Sequence, residues 1–100
     1  MELIETPIFE RRRHRFFTAE EYRELQNELI VNPTAGAVVP KSGGFRKLRR
    51  AMRGKGKRGG ARIIYYRQSS ERIYLVFVYQ KTDREDLSAD QLKQLSALVE

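Results

Sequence analysis

The chain has 100 residues, no cysteine and a net charge of +7, which is the length of one compact domain over residues 1–100 and leaves no thiol for a disulfide or a thiolate metal site. A hydrophobic content of 40% with 10% aromatics separates it from disordered tails, and its longest apolar run, Ile73 to Tyr79, is far short of a membrane span. Glu2 and Glu5 near the start do not read as a signal peptide, so a cytoplasmic protein without membrane association is expected.

Residues 2 to 9 (ELIETPIF) mix apolar and β-branched residues around Pro7 and predict an edge strand interrupted at the proline. Thr18-Ala-Glu-Glu21 is a capping box that opens a helix with the apolar stripe Tyr22, Leu25 and Leu29, and Asn32-Pro33 stops it. Residues 33 to 44 predict a loop. A basic strand follows from Phe45 to Met52. Arg53 to Gly60 holds four glycines in eight residues, a composition that destabilises any regular element and predicts a glycine-and-cation loop.

Two strong strands come next, Ala61 to Arg67 and Arg72 to Tyr79, joined by the hairpin loop Gln68-Ser-Ser-Glu71. The second is apolar on both faces, as a strand covered on each side should be. Ser88-Ala-Asp-Gln91 is a second capping box and opens a helix with the stripe Leu92, Leu95 and Val99. The order strand, helix, three strands, helix predicts an α+β domain in which an N-terminal and a C-terminal helix flank a largely antiparallel β-sheet.

The charge is segregated along this order. Residues 41–67 hold eleven Lys or Arg and no acid, whereas residues 1–40 hold five basic and seven acidic side chains and residues 68–100 four and six. A block of this kind focuses positive potential and binds a polyanion, nucleic acid foremost. Without cysteine, and with the single His14 inside an Arg-rich run where a solvated role suits it, neither a His/Cys metal cluster nor a Cys-His pair is available. The acids lie away from the basic block, which argues against a carboxylate two-metal centre, so no metal or other cofactor is expected. Lys55 and Lys57 lack the hydroxyl neighbour that a nucleotide-phosphate loop needs. Both helices are acidic or neutral, which weakens a helix-turn-helix DNA-binding regulator.

What remains is chemistry that cations can perform alone. In-line attack by a ribose 2′-hydroxyl needs a base, charge stabilisation at phosphorus and an acid for the departing 5′-oxygen. Crowding Lys55, Lys57, Arg58 and Arg62 together favours a neutral lysine, while arginine clamps phosphate oxygens. A hairpin with Arg67 opposite Arg72 would set Arg62 opposite Phe77 and put Arg62, Phe77, Tyr79 and Lys81 on one face, with Tyr66 on the same face as a stacking partner for a base or as an ordinary half-buried aromatic. From charge alone, a patch that binds RNA or the ribosome without cutting is the favoured alternative.

Phe45-Arg-Lys-Leu-Arg49, Gly54-Lys-Gly-Lys-Arg-Gly-Gly-Ala-Arg62-Ile-Ile-Tyr-Tyr66, Val78-Tyr-Gln-Lys81 and Asp86-Leu87, together with Glu20-Glu21-Tyr22 and Asn32-Pro33, resemble the RelE superfamily of toxins, most closely its HigB branch. The resemblance runs in order over nearly the whole chain and reverses the preference for binding alone. It implies a type II toxin held silent by a cognate antitoxin, and a metal-independent endoribonuclease that cuts messenger RNA in the ribosomal A site and so inhibits translation. Carried over by position, it implies roles for Arg53, Lys55, Lys57, Arg62 and Lys81. Lys55, Lys57, Arg62 and Lys81 are the expected catalytic residues, and Arg49, Arg53, Arg58 and Tyr66 the expected RNA contacts. Some members carry an Arg just after the position of Lys81 and a catalytic Tyr in the final segment, where this chain has Thr82 and Leu87-Ser88, and the base is left open between Lys55 and Lys57. If about six phosphates are engaged, affinity for RNA or ribosomes should fall by orders of magnitude over a few-fold rise in salt; a titration by filter binding checks this, and a flat curve contradicts it.

Overall fold

The computed structural model describes residues 1–51, 60–81 and 87–99. Chain order among them is β1 (Glu2–Glu5), α1 (Pro7–Arg13), α2 (Ala19–Val31), β2 (Ala37–Val38), β3 (Phe45–Arg50), β4 (Ala61–Ser69), β5 (Arg72–Gln80) and α3 (Ala89–Ser96). The strands form one sheet in the order β1-β5-β4-β3-β2. Its pairings are antiparallel except that of β1 with β5, which is parallel. The expected α+β architecture is therefore present.

Helices cover both faces. On one side, Phe9 of α1 and Tyr22, Leu25 and Leu29 of α2 are buried with Phe16, Phe17, Leu48, Ile63, Tyr65, Ile73, Leu75 and Val78. On the other, Leu92 and Leu95 of α3 are buried with Phe45, Ile64, Val76, Phe77 and Tyr79. The switch of face within β5, from Ile73 and Leu75 to Phe77 and Tyr79, follows from a bulge: Tyr65 pairs with Leu75 but Ile64 pairs with Phe77, so Val76 is the extra residue. One inserted residue reverses the alternation, which is how a strand becomes apolar on both faces.

Both capping boxes form, at Thr18/Glu21 and at Ser88/Gln91. Four expectations need correction. The first strand does not continue to residue 9; it ends at Glu5, and Pro7 opens α1 instead. Thr6 is the N-cap, its hydroxyl accepting from the Phe9 N–H at 3.2 Å, and a proline in the first turn lacks only a donor that would have no helical partner anyway. Residues 33–44 are not wholly loop, since Ala37–Val38 pair with β3. The described part of the basic strand ends at Arg50, and Met52 lies outside the described residues.

The hairpin is the fourth. Its strands run on to Ser69 and from Arg72, so Arg67 faces Ile73 rather than Arg72, and Arg62 faces Tyr79 rather than Phe77. The extra residues Gln68 and Val76 lie on opposite strands and cancel, so the offset of two at Arg62 comes from the shorter turn that sets Ser69 rather than Arg67 opposite Arg72, and an even offset leaves faces unchanged. Arg62, Phe77 and Tyr79 thus share the α3 side as expected, with a different partner opposite the arginine.

The buried phenols on the α1–α2 side are hydrogen-bonded. The Tyr22 hydroxyl donates to Glu5, which also pairs with Arg13, and the Tyr65 hydroxyl donates to the Ala35 carbonyl. Burial, reinforced at Tyr22 by the Glu5 carboxylate, pushes both phenols above their ordinary range. Neutral phenols are then favoured by folding, so their contribution is complete below the ordinary tyrosine value of about 10 and is lost as pH rises beyond it. Denaturant midpoints should fall between about pH 9 and 11, and a Tyr22→Phe, Tyr65→Phe double variant should show a shallower fall. Arg12 donates through Nε to the Val78 carbonyl at 2.7 Å and lies over the Phe77 ring at 4.7 Å. Arg12→Ala should lower stability by about 2 kcal/mol, read as a fall in Tm of roughly 10 °C.

Candidate functional site

The site is built from the ends of three adjacent strands. β3 delivers Arg49, β4 delivers Arg62 and β5 delivers Tyr79, and these three pair directly, Arg49 with Arg62 and Arg62 with Tyr79. Strand alternation puts them on the α3 side, where Phe45, Ile64 and Phe77 are buried. Two like charges directly opposite each other on neighbouring strands repel, an arrangement that an anion lying across them relieves.

Arg62 is only 6% exposed, and its Nε has no hydrogen-bond partner among the described residues. A buried guanidinium with an unmatched donor is costly, because water has been removed and nothing replaces it. Tyr79 is fully buried beside it. Arg49 is exposed, and so is Lys81, which directly follows the last residue of β5.

Other cations of β3 are turned away from this row. Arg50 forms an ion pair with Glu28 of α2, and Arg46 donates to the Thr34 carbonyl at 3.0 Å. Alternation is the cause: even positions of β3 point with buried Leu48 toward α2, odd ones with Phe45 toward α3. Of the basic strand, Lys47 and Arg49 therefore serve the candidate site, and Arg50 braces the fold.

Arg53, Lys55, Lys57 and Arg58 lie outside the described residues. The residues that flank their segment, Ala51 and Gly60, sit at the Arg62 end of the sheet. A Cβ at Gly60 would stand 2.4 Å from the Arg50 carbonyl oxygen, so only glycine lets the chain re-enter the sheet this close to β3.

Tyr66 shares the face but not the location. It pairs with Phe45 and Tyr74 and packs edge-on against the Phe45 ring, centroids 5.8 Å apart. Four residues of extended chain separate it from Arg62, about 13 Å. Sequence reasoning passed over Tyr79 and Lys47 as site residues. Alternation placed Tyr79 on the Arg62 face, but only the true register makes it the arginine's direct partner. Lys47 carries the same odd-position signal as Arg49, which was legible once Phe45 was known to face inward.

Among the described residues no group of three or more His, Cys, Asp or Glu side chains could hold a metal ion, and no helix is long and apolar enough to cross a membrane. His14 is exposed at the end of α1. The arrangement is a cationic row, one member buried, at the sheet end from which a glycine-and-cation segment departs. The family model described as the RelE toxin of the RelE/RelB toxin–antitoxin system matches residues 13–100, a span that contains α2, α3, the strands β2 to β5 and the whole cationic row. The chain belongs to the RelE toxin family and is the toxin of a toxin–antitoxin system, with an antitoxin as its partner.

Proposed function

We propose that this toxin is a metal-independent endoribonuclease of the cytoplasm that cleaves messenger RNA in the ribosomal A site and thereby stops translation. The observation that carries this reading is the buried Arg62 guanidinium, held rigidly between Arg49 and Tyr79 with a donor unmatched among the described residues. A phosphate oxygen would match that donor, and in a low-dielectric setting the contact strengthens as negative charge builds on phosphorus.

In this mechanism Arg62 stabilises the pentacovalent phosphorane, and Lys81 stands at the strand end to neutralise or protonate the departing 5′-oxygen. Lys55 or Lys57 takes the proton of the attacking 2′-hydroxyl. Arg49, Arg53 and Arg58 hold the RNA backbone, and Tyr66, some 13 Å along the sheet, contacts RNA away from the cut. The 2′-oxygen forms its bond to phosphorus as the bond to the 5′-oxygen breaks, leaving a 2′,3′-cyclic phosphate and a 5′-hydroxyl. None of the cations is an efficient acid–base group at neutral pH, so the RNA must arrive already bent for in-line attack, and the ribosome supplies that geometry.

Purified toxin should cut translated messenger and leave free RNA nearly intact, with 5′-hydroxyl ends, and its slow residual cleavage of free RNA should not change in EDTA. Arg62→Ala and Lys81→Ala should each slow single-turnover cleavage on ribosomes by roughly a hundredfold or more while retaining much of the ribosome affinity. Arg50→Ala, which breaks the pair with Glu28, should affect thermal stability more than cleavage. If cleavage and binding fall in parallel at Arg62, the toxin binds RNA through this row without using it in the transition state.

A further inference from the structure

Beside the cationic row, on the same face, lies a cavity of about 460 Å³. Val39, Ile64 and Leu92 give it apolar walls, Lys41 and Lys47 bring two cations, and Tyr79 closes it toward Arg62. Ile64 is two residues beyond Arg62, and Lys47, which pairs with Ile64, is two residues before Arg49. The cavity therefore begins about 7 Å from the row, comparable to one nucleotide step along an extended RNA strand.

Lys41 has a second distinction. Its φ is +56°, and it is the one non-glycine residue with positive φ among the described residues. It follows Pro40 in the turn that joins β2 to β3, a turn tied by the Ser42 hydroxyl, which donates to the Val39 carbonyl at 2.6 Å and accepts from the Phe45 N–H at 3.0 Å. Such a backbone suits glycine or asparagine, and a long side chain held there is strained. Strain of this kind is retained where the surroundings enforce it, and binding sites are its common location.

We propose that this cavity is a nucleotide subsite: it takes the base of the messenger nucleotide next to the cleaved phosphate, Lys41 and Lys47 hold that nucleotide's phosphate, and the cavity sets the base preference of the cut. The inference rests on the cleavage reading above. Apolar walls suit the faces of a base, the lysines suit its phosphate, and no acidic residue lines the cavity among those described. Continuity with the arginine row through Tyr79 favours the RNA over an apolar side chain of the antitoxin as the occupant.

The test uses the full, isotope-labelled chain and an RNA tetranucleotide with 2′-O-methyl sugars, which cannot be cleaved. On saturation, the NMR signals of Val39, Ile64 and Leu92 should shift, and affinity should differ by severalfold among the four bases at one position of the oligonucleotide. Lys41→Gly removes the cation and relieves the backbone, so it should bind about tenfold more weakly while its Tm stays level or rises. Lys41→Asn, which tolerates the same backbone and keeps a side chain, should bind as weakly as Lys41→Gly. Parental affinity in both variants, or cavity signals that move only when antitoxin is added, would overturn the subsite. If cleavage depends on Arg62 yet the cavity signals do not move, the subsite alone fails. If the signals move but Arg62→Ala cuts at the parental rate, the cleavage site is misassigned and the nucleotide subsite stands.

Discussion

Strand β5 pairs with β1 only as far as Leu75, because β1 ends at Glu5, and every feature of the cationic row depends on how the remaining length of β5 is held. The Thr6 N–H donates to the Leu75 carbonyl, the Thr6 hydroxyl donates to the Val76 carbonyl at 2.7 Å, and the Arg12 guanidinium reaches the Val78 carbonyl. Three donors from one short helix, two at its N-cap and one in its last turn, thus replace a missing strand, satisfying an edge that would otherwise be left with buried acceptors. The same stretch contains the Val76 bulge, which turns Phe77 and Tyr79 toward α3. Arg12 also lies over the Phe77 and Phe16 rings, so a single side chain both caps the backbone and backs the aromatic that stands before the site.

A second consequence of the sheet is the sorting of charge. On the α1–α2 side, cations meet acids: Arg13 with Glu5 and Arg50 with Glu28; at the exposed sheet edge, Arg72 meets Glu2. Pairs that water still reaches, as it does these, add modest stability. Their effect here is spatial: they neutralise cations of the α1–α2 side, while Arg49 and Arg62 face the α3 side, where they can attract and orient a polyanion. A buried arginine inside such a field is held without rotamer freedom, and a preorganised donor of that kind is worth more to a developing charge than a solvated one.

Much of the fold was legible in the residues. The two capping boxes named both longer helices and their first turns, the stripes Tyr22/Leu25/Leu29 and Leu92/Leu95 named the faces they bury, and the doubly apolar run after Arg72 marked a strand covered on both sides, because local hydrogen-bond chemistry and periodic burial act over a few neighbouring residues. The helix at Pro7 was not legible, since a proline after a short apolar run fits an interrupted strand as well as a helix start until Thr6 is seen to cap it.

For the site, the sequence by itself determined the family, the segregation of charge and the face shared by Arg62 and Tyr79, all of which are carried by residue identity and alternation. Tertiary structure alone decided which residues stand opposite one another. The tightness of the turn, which sets Ser69 rather than Arg67 opposite Arg72, leaves no compositional trace, yet it moves Tyr79 rather than Phe77 beside Arg62. Tertiary structure likewise sent Arg50 to Glu28 and Arg49 to Arg62, and set Tyr66 against Phe45, far down the sheet. Adjacent arginines in one strand are equivalent in a sequence; they part only when a sheet gives them two faces with different neighbours.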